Sequence, residues 1–182
     1  MIVGKSREPM NRRTTSVERT SDQEILITRT FGAPAEIVFD GYTKPEYVRR
    51  WWAPVSRGVT LIQCDAEVRP GGEYRYVLAH GKAGSFAFFG KYLEITRPTR
   101  LIYTQSFEPV LGQPLPGEAI VTVTFEERDG STTFVARERY PSKEALDGAL
   151  SSGMEDGMRE TFDQLDELVE LRVSAAVGTL DR

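Results

Sequence analysis

The sequence is poor in the residues that metal, redox and disulfide sites require. Its 182 residues include one cysteine, Cys64, and one histidine, His80. A single cysteine excludes a disulfide within the chain, a Cys-x-x-Cys redox pair and a cysteine zinc cluster. A single histidine excludes sites that need two or more imidazoles. We therefore expect neither a metal site nor a cofactor, and we expect Cys64 to be a small buried side chain.

Further absences bear on partners and location. The net charge of −4 argues against nucleic acid as the main partner, because nucleic-acid-binding domains are typically basic. No apolar run approaches the ~20 residues that span a bilayer, and no secretory signal is visible. The sequence also lacks a glycine-rich phosphate-binding motif. We expect a cytoplasmic protein that neither spans a membrane nor binds nucleic acid.

Charge is divided unevenly along the chain. Residues 1–21 carry five basic and two acidic side chains, a net of +3, which leaves −7 on the rest. This segment is rich in Ser, Thr and Arg and lacks apolar periodicity, so we expect a flexible basic arm. The folded domain is predicted over 22–173 and a tail over 174–182. The arm could instead dock on an acidic surface of its own or another chain, and attraction between the arm and the acidic helix face of another chain would allow a homodimer.

The middle of the chain has the alternation of antiparallel β-strands. Val121, Val123 and Phe125 alternate with threonines, a pattern typical of a strand with one buried and one wet face. Asp129-Gly130 then predicts a hairpin turn. A first strand is predicted over Glu24–Phe31. After it, Ala33-Pro34 and Lys44-Pro45 predict the starts of two short helices.

The last element is predicted to be one long amphipathic helix. Apolar residues recur every three or four positions from Leu146 to Val169. Gly148, Gly153 and Gly157 each lower helix propensity by about 1 kcal/mol relative to Ala, which favours a kink in the first half. The layout predicts an α+β fold. A curved antiparallel sheet of about six or seven strands wraps around the C-terminal helix, and two short helices follow the first strand. The space between sheet and helix becomes a pocket.

The residues also resemble a known family over about residues 22–172. The matching motifs are Arg29-x-Phe31-x-Ala33-Pro34-x-x-x-Val38-Phe39, Arg50-Trp51-Trp52-x-Pro54, Gly90-x-Tyr92-x-Glu94-Ile95 and Gly157-Met158-x-x-Thr161-x-x-Gln164-Leu165. The chain is thereby similar to bacterial single-domain relatives of the C-terminal domain of the activator of Hsp90 ATPase. These lie within the START and Bet v 1-like group, which includes polyketide cyclases. The resemblance implies a helix-grip fold with an internal cavity for a hydrophobic ligand and, through its name, a stress-related role.

The candidate cavity is a wall of aromatic and methionine side chains, which suit an apolar or amphipathic ligand. The residues expected to line it are Phe39, Tyr42, Trp51, Trp52, Tyr74, Tyr76, Tyr103, Phe125, Met154, Met158 and Phe162. Each could equally be a core residue. For catalysis, His80 is the one imidazole available, and Glu94 lies in an apolar strand.

We therefore expect binding of a small hydrophobic or amphipathic molecule between sheet and helix. Two alternatives stay open. A cyclase- or dehydratase-like reaction would use the same cavity, with His80, Glu94 or a tyrosine as acid or base. The other alternative is a protein-interaction module, a hypothesis that rests on analogy with Hsp90 co-chaperones. We favour binding over catalysis, because no sequence feature supplies a partner that would orient His80.

Overall fold

The computed structural model describes residues 14–109 and 117–180, with side chains up to residue 177. The strands are β1 (Ser16–Arg19), β2 (Glu24–Phe31), β3 (Val59–Ala66), β4 (Glu73–His80), β5 (Ser85–Thr96), β6 (Arg100–Glu108), β7 (Ala119–Arg128) and β8 (Ser131–Arg139). The helices are α1 (Ala35–Thr43), α2 (Pro45–Val48), α3 (Lys143–Ser151) and α4 (Met154–Leu180). Short 3-10 turns cover Val55–Arg57 and Gly81–Ala83.

The strands form one antiparallel sheet in the order β1-β2-β8-β7-β6-β5-β4-β3. The alternation seen in the sequence gives the sheet one buried face. Along β7, Val121, Val123 and Phe125 are buried, while the residues between them are more exposed. The predicted α+β architecture, a curved antiparallel sheet with a long C-terminal helix, is confirmed. The sheet has eight strands rather than six or seven, because β1 adds one.

Strand β1 corrects the predicted extent of the basic arm. Ser16–Arg19 pairs with β2, and the Arg19 guanidinium lies 2.6 Å from the Asp147 carboxylate of α3. The hydroxyl of Thr15 accepts a hydrogen bond from Arg29 at 3.0 Å. The end of the arm is therefore docked on an acidic side chain of its own chain. The rest of the predicted arm, residues 1–13, lies outside the described residues.

The predicted single C-terminal helix is two helices. The Ser142 hydroxyl accepts a hydrogen bond from the Ala145 amide and caps α3. The chain then breaks at Gly153, which has a φ of +81°, in the left-handed region that favours glycine. Helix α4 continues to Leu180, so most of the predicted tail is helical. None of the helices in the described ranges is long and apolar enough to cross a membrane.

Helix α4 covers the inner face of the sheet and closes the core. Leu165 and Val169 are fully buried and contact α1 at Gly41. An ion pair also fixes α4, because buried Arg29 on β2 reaches the carboxylates of Asp163 at 2.6 Å and Asp166 at 2.9 Å. The core thus places the inner face of β4 to β8 opposite the helix, where the candidate site lies.

Candidate functional site

The interior contains a small cavity that is lined mainly by tyrosines. Its volume is about 10 Å³, which holds roughly one water molecule. The lining side chains are Tyr42, Trp52, Tyr74, Tyr76, Tyr92, Leu101 and Tyr103. Five of them lie on the inner face of β4, β5 and β6, while Tyr42 lies on α1 and Trp52 on the segment that follows α2. In this conformation the side chains that line the cavity fill most of the space between them.

Strand geometry explains why the tyrosines meet. Tyr74 and Tyr76 are two residues apart on β4, so both point to the buried face. Tyr92 on β5 is paired with Tyr103 on β6. The four rings lie 5.1–6.3 Å apart between centroids in successive contacts, in tilted or edge-on arrangements that aromatic pairs prefer.

A glycine makes room for this packing. A Cβ on Gly90 would lie 1.9 Å from the Thr104 carbonyl oxygen and 3.0 Å from the Tyr74 ring. The sheet therefore needs glycine at this position, because the backbone of β6 and the Tyr74 ring occupy the space of a side chain. The Tyr74 hydroxyl in turn donates to the Thr104 carbonyl at 3.0 Å.

The tyrosine hydroxyls bring polar groups into an apolar interior. The hydroxyls of Tyr42 and Tyr103 share a hydrogen bond of 2.8 Å. Burial raises the pKa of Tyr42, Tyr74 and Tyr103 above its ordinary value. All three hydroxyls are therefore neutral at physiological pH, and each can donate or accept a hydrogen bond.

The segment that carries Trp52 is tied to α4. The Gln164 amide donates to the carbonyls of Trp51 at 2.7 Å and Ala53 at 2.8 Å. The Glu160 carboxylate accepts from both the amide and the hydroxyl of Ser56, each at 2.7 Å. These bonds hold the half-buried Trp52 ring against Tyr76, with 5.1 Å between centroids. The helix thereby positions one wall of the cavity.

A buried carboxylate lies beside the cavity. Glu138 on β8 is 7% exposed and accepts a hydrogen bond of 2.9 Å from the Tyr140 hydroxyl. Burial raises the pKa of Glu138 to about 7, although the Tyr140 hydrogen bond opposes the shift. The Tyr140 hydroxyl also lies 3.5 Å from the Met154 sulfur at the start of α4. This carboxyl can therefore change its protonation state near neutral pH.

The structure brings together five of the eleven predicted cavity residues: Tyr42, Trp52, Tyr74, Tyr76 and Tyr103. Four others, Phe39, Trp51, Phe125 and Phe162, are buried and pack within the core. Met154 and Met158 are partly buried and contact the core from α4, outside the cavity lining. The fold therefore uses most of the remaining aromatic residues to fill space between sheet and helix.

Neither predicted catalytic candidate reaches the cavity. His80 is exposed at the end of β4. Glu94 is partly exposed and forms an ion pair of 3.3 Å with Arg100. Strand β5 has an irregularity between Tyr92 and Glu94, so the alternation of faces shifts there and Ile95, rather than Glu94, contacts the core. The structure thus places both residues at the surface.

Cys64 is buried, as expected, and burial raises the pKa of its thiol to about 11. The thiol is therefore protonated and a poor nucleophile at neutral pH. Among the described residues, no group of three or more His, Cys, Asp or Glu side chains could hold a metal ion.

The predicted cavity list omits four residues of the site, Tyr92, Leu101, Glu138 and Gln164. Glu138 shares strand parity with Phe134 and Ala136, and this spacing was the available signal. Tyr92 was missed because its strand is apolar at both parities. Gln164 was part of a family motif, but no spacing rule predicts that its amide would bond the carbonyls of a distant turn.

A second depression lies at the N-terminal end of α1. It is an open groove of about 630 Å³ bordered by Ala35, Pro98, Thr99, Thr124, Phe125, Glu126 and Glu127. The Glu127 carboxylate already accepts a hydrogen bond of 2.8 Å from the Ala35 amide at the start of α1. The positive end of this helix is therefore satisfied within the chain.

Comparison with known proteins agrees with this architecture. Residues 32–170 match the profile of a family described as "Activator of Hsp90 ATPase homolog 1-like protein". No curated protein matches the chain.

Several solved bacterial structures share the fold. A Staphylococcus epidermidis protein is 30% identical, with a TM-score of 0.69 over 86% of this chain and 94% of its own. Protein Ms6760 of Mycobacterium smegmatis is 26% identical, with a TM-score of 0.74 over 87% and 99%. A Rhodobacter sphaeroides protein is 24% identical, with a TM-score of 0.75 over 86% and 98%.

Proposed function

The chain belongs to the Activator of Hsp90 ATPase homolog 1-like family, and we propose that it binds a small hydrophobic or amphipathic molecule between its sheet and its C-terminal helix. The observation that carries the proposal is the convergence of five tyrosines, one tryptophan and one leucine on a single interior cavity. A stress-related role belongs to the same proposal, because the family description refers to an activator of Hsp90.

The lining suits a ligand that is mostly apolar and has one or two polar groups. Aromatic walls gain roughly 25 cal/mol for each Å² of apolar surface removed from water. The Tyr42 and Tyr103 hydroxyls, 2.8 Å apart, can exchange their mutual hydrogen bond for bonds to the ligand. Ligand pockets commonly combine such an apolar wall with a few placed polar groups.

Binding of a ligand larger than one water molecule requires the cavity of about 10 Å³ to expand. Trp52, which lines the cavity, is half-buried, and the partly buried Met154 and Met158 of α4 pack against the same core. Methionine adapts to irregular shapes because it is unbranched and has three rotatable bonds. We therefore expect ligand entry to displace these side chains and to leave the buried strand residues in place.

Ligand capture provides the first test. Native mass spectrometry after gentle purification should show a small molecule bound to the chain. A library of lipids and small aromatic molecules should contain ligands that raise the melting temperature. A ligand at about 100 times its Kd adds ~2.7 kcal/mol to the free energy of unfolding. Absence of both a co-purified molecule and any thermal shift would refute the proposal.

A cavity-enlarging variant locates the site. Leu101 lines the cavity and is 1% exposed, so Leu101→Ala should cost about 2–5 kcal/mol and leave additional space. Library ligands should then bind more tightly than to the unmodified chain. Leu146→Ala is the matched control, because Leu146 is fully buried outside the lining. Equal gains in ligand affinity for the two variants would place the site elsewhere.

One observation favours catalysis as a second candidate. The Glu138 carboxyl has a pKa raised to about 7 by burial, which suits proton transfer at neutral pH. A cyclase- or dehydratase-like reaction would then use Glu138 in place of His80 or Glu94. Incubation of a captured ligand with the chain and with the Glu138→Gln variant tests this, and conversion that survives the substitution would exclude the carboxyl.

A further inference from the structure

One row of residues connects the tyrosine cavity to a buried carboxylate. Tyr92 pairs with Tyr103, Tyr103 with Val121, and Val121 with Glu138 across four neighbouring strands. All four residues are buried and therefore face the interior. Only the short side chain of Val121 separates the tyrosines from the carboxylate within this row.

The tyrosine hydroxyls are in electrostatic contact with Glu138. Its negative charge contributes to the raised pKa of Tyr42, Tyr74 and Tyr103, which come from three different elements. These three residues line the cavity. Together with the shared row of buried residues, this places the carboxylate and the cavity in one interior region.

This carboxylate has no cationic partner among the residues that the structure describes. Its hydrogen-bond donor is the neutral Tyr140 hydroxyl, and it takes part in no ion pair. The neighbouring Arg137 lies on the opposite face of β8 and pairs with Glu24. Buried carboxylates are generally paired with a cation or protonated. Glu138 therefore presents an unpaired acceptor beside an aromatic cavity.

The structure assigns a ligand class to this region: we propose that it binds a small organic amine, whose protonated nitrogen pairs with Glu138 while its apolar body lies among the tyrosine rings. The inference rests on the proposed function and specifies its ligand. The ammonium group donates hydrogen bonds to the carboxylate, which supplies the missing partner. Aromatic faces also attract cations, and this attraction strengthens in a desolvated site.

The region near Met154 gives such a ligand a place for its charged end. The Met154 sulfur lies 3.5 Å from the Tyr140 hydroxyl, and Met154 is partly buried directly after the break at Gly153. Displacement of this flexible side chain would expose the carboxylate while the ligand's body extends past Val121 toward the tyrosines. A ligand with a short linker between ring and amine fits this layout.

Amines and their alcohol counterparts provide the test. The probes are benzylamine and benzyl alcohol, 2-phenylethylamine and 2-phenylethanol, and cyclohexylmethylamine and cyclohexylmethanol. Titration calorimetry on the full chain at pH 8, where the carboxyl is ionised, should give amines an affinity about tenfold or more above that of the paired alcohols. Glu138→Gln should remove this preference and leave alcohol binding within about twofold.

A matched control separates a local pairing from a general charge effect. Glu118→Gln removes an exposed carboxylate that also acts electrostatically on Tyr74, and it should leave the preference for amines intact. Equal binding of amines and alcohols would overturn the inference and leave the proposed function standing. If neither amines nor alcohols bind but other molecules of the library do, the amine inference is wrong and the proposed function stands. Absence of any ligand would refute both.

A second measurement covers the case in which Glu138→Gln fails to fold. The carboxyl carbon of Glu138 in the unmodified chain can be followed by NMR during a pH titration. Saturating 2-phenylethylamine should lower the pH at which this signal titrates, because the bound cation stabilises the ionised carboxylate. A titration that amine does not move would overturn the pairing.

Discussion

At the scale of single residues, Arg29 forms the main charged connection between the sheet and α4. Its side chain is 2% exposed and contacts Asp166, which is 7% exposed, and Asp163, which is 65% exposed. Arg29→Met would leave the Asp166 carboxylate buried without its cation. Such a loss costs about 3–5 kcal/mol, and urea unfolding should measure a destabilisation of this size.

Two further variants show whether the buried pair alone is responsible. Asp163→Asn removes the exposed partner and should cost less than about 1 kcal/mol. Replacement of both buried charges, Arg29→Met with Asp166→Leu, should recover most of the lost stability, because a buried pair is often replaceable by apolar side chains. A double variant as unstable as Arg29→Met alone would contradict this account.

Single residues also show where sequence reasoning reaches its limit. Tyr74 and Tyr76 are two residues apart on β4, so local alternation is enough to place both on the buried face. Along β5 local alternation gives no such answer, because the strand is apolar at both parities and the irregularity after Tyr92 shifts the faces. Local parity could have indicated Glu138, but its burial beside the tyrosines depends on the register between β6, β7 and β8.

At the scale of elements, the break between α3 and α4 depends on one glycine conformation. Gly153 has a φ of +81°, whereas Gly148 lies within α3. A Cβ at either position would meet no atom within 4 Å, so the two sites differ in backbone conformation alone. Gly153→Ala should lower the free energy of unfolding by about 1 kcal/mol, because alanine is strained at positive φ.

The matched substitution should act in the opposite direction. Gly148→Ala should raise the free energy of unfolding by about 0.5–1 kcal/mol, because alanine has the higher helix propensity and loses less backbone entropy. Thermal or urea unfolding of both variants provides the measurement. A stabilised Gly153→Ala variant would mean that α3 and α4 form one continuous helix.

This break also shows what element patterns can predict. The apolar periodicity correctly predicted helical structure from Leu146 onward, and the three glycines indicated a weak first half. Periodicity alone did not distinguish a kink from two separate helices, because the stripe of apolar residues continues across Ser152 and Gly153. The strand β1 was missed for a different reason: its four residues are stabilised by pairing with β2, which leaves no periodic signal.

At the scale of the whole molecule, the sequence predicted the architecture better than the cavity. Strand alternation and one long amphipathic segment define which faces must be covered, and few arrangements satisfy both. The volume left inside depends on how closely the side chains of the helices and strands approach each other. The predicted wall of eleven residues became a cavity of about 10 Å³, because most of those side chains contact one another.

The buried carboxyl makes the stability of the whole chain depend on pH. Burial raises the pKa of Glu138 from 4.5 to about 7. Between pH 4.5 and pH 7 the folded chain retains a proton on Glu138 that the unfolded chain releases. The stabilisation that comes from this protonated carboxyl is fully present below pH 4.5 and is lost as the pH rises through 7. The loss amounts to about 3 kcal/mol, at ~1.4 kcal/mol for each pKa unit.

Carboxyls with a lowered pKa change stability in the opposite direction. Asp40 is an example: burial raises the pKa of Asp40, but hydrogen bonds from Lys44 and Arg97 outweigh that effect and lower it.

Comparison with Glu138→Gln isolates this contribution, because glutamine has nearly the same shape, can still accept from Tyr140 and does not titrate. Urea unfolding should be measured at several pH values between 4.5 and 8. As the pH rises, the free energy of unfolding of the unmodified chain should fall by about 3 kcal/mol relative to that of the glutamine variant. The tyrosines that face the carboxyl, Tyr42, Tyr74, Tyr103 and Tyr140, have raised pKa values and remain neutral over this range. These tyrosines therefore cannot produce the change.

A stability difference between the two chains that stays constant with pH would mean that Glu138 is hydrated or paired in solution. The amine inference, which requires an unpaired buried carboxylate, would then be wrong as well.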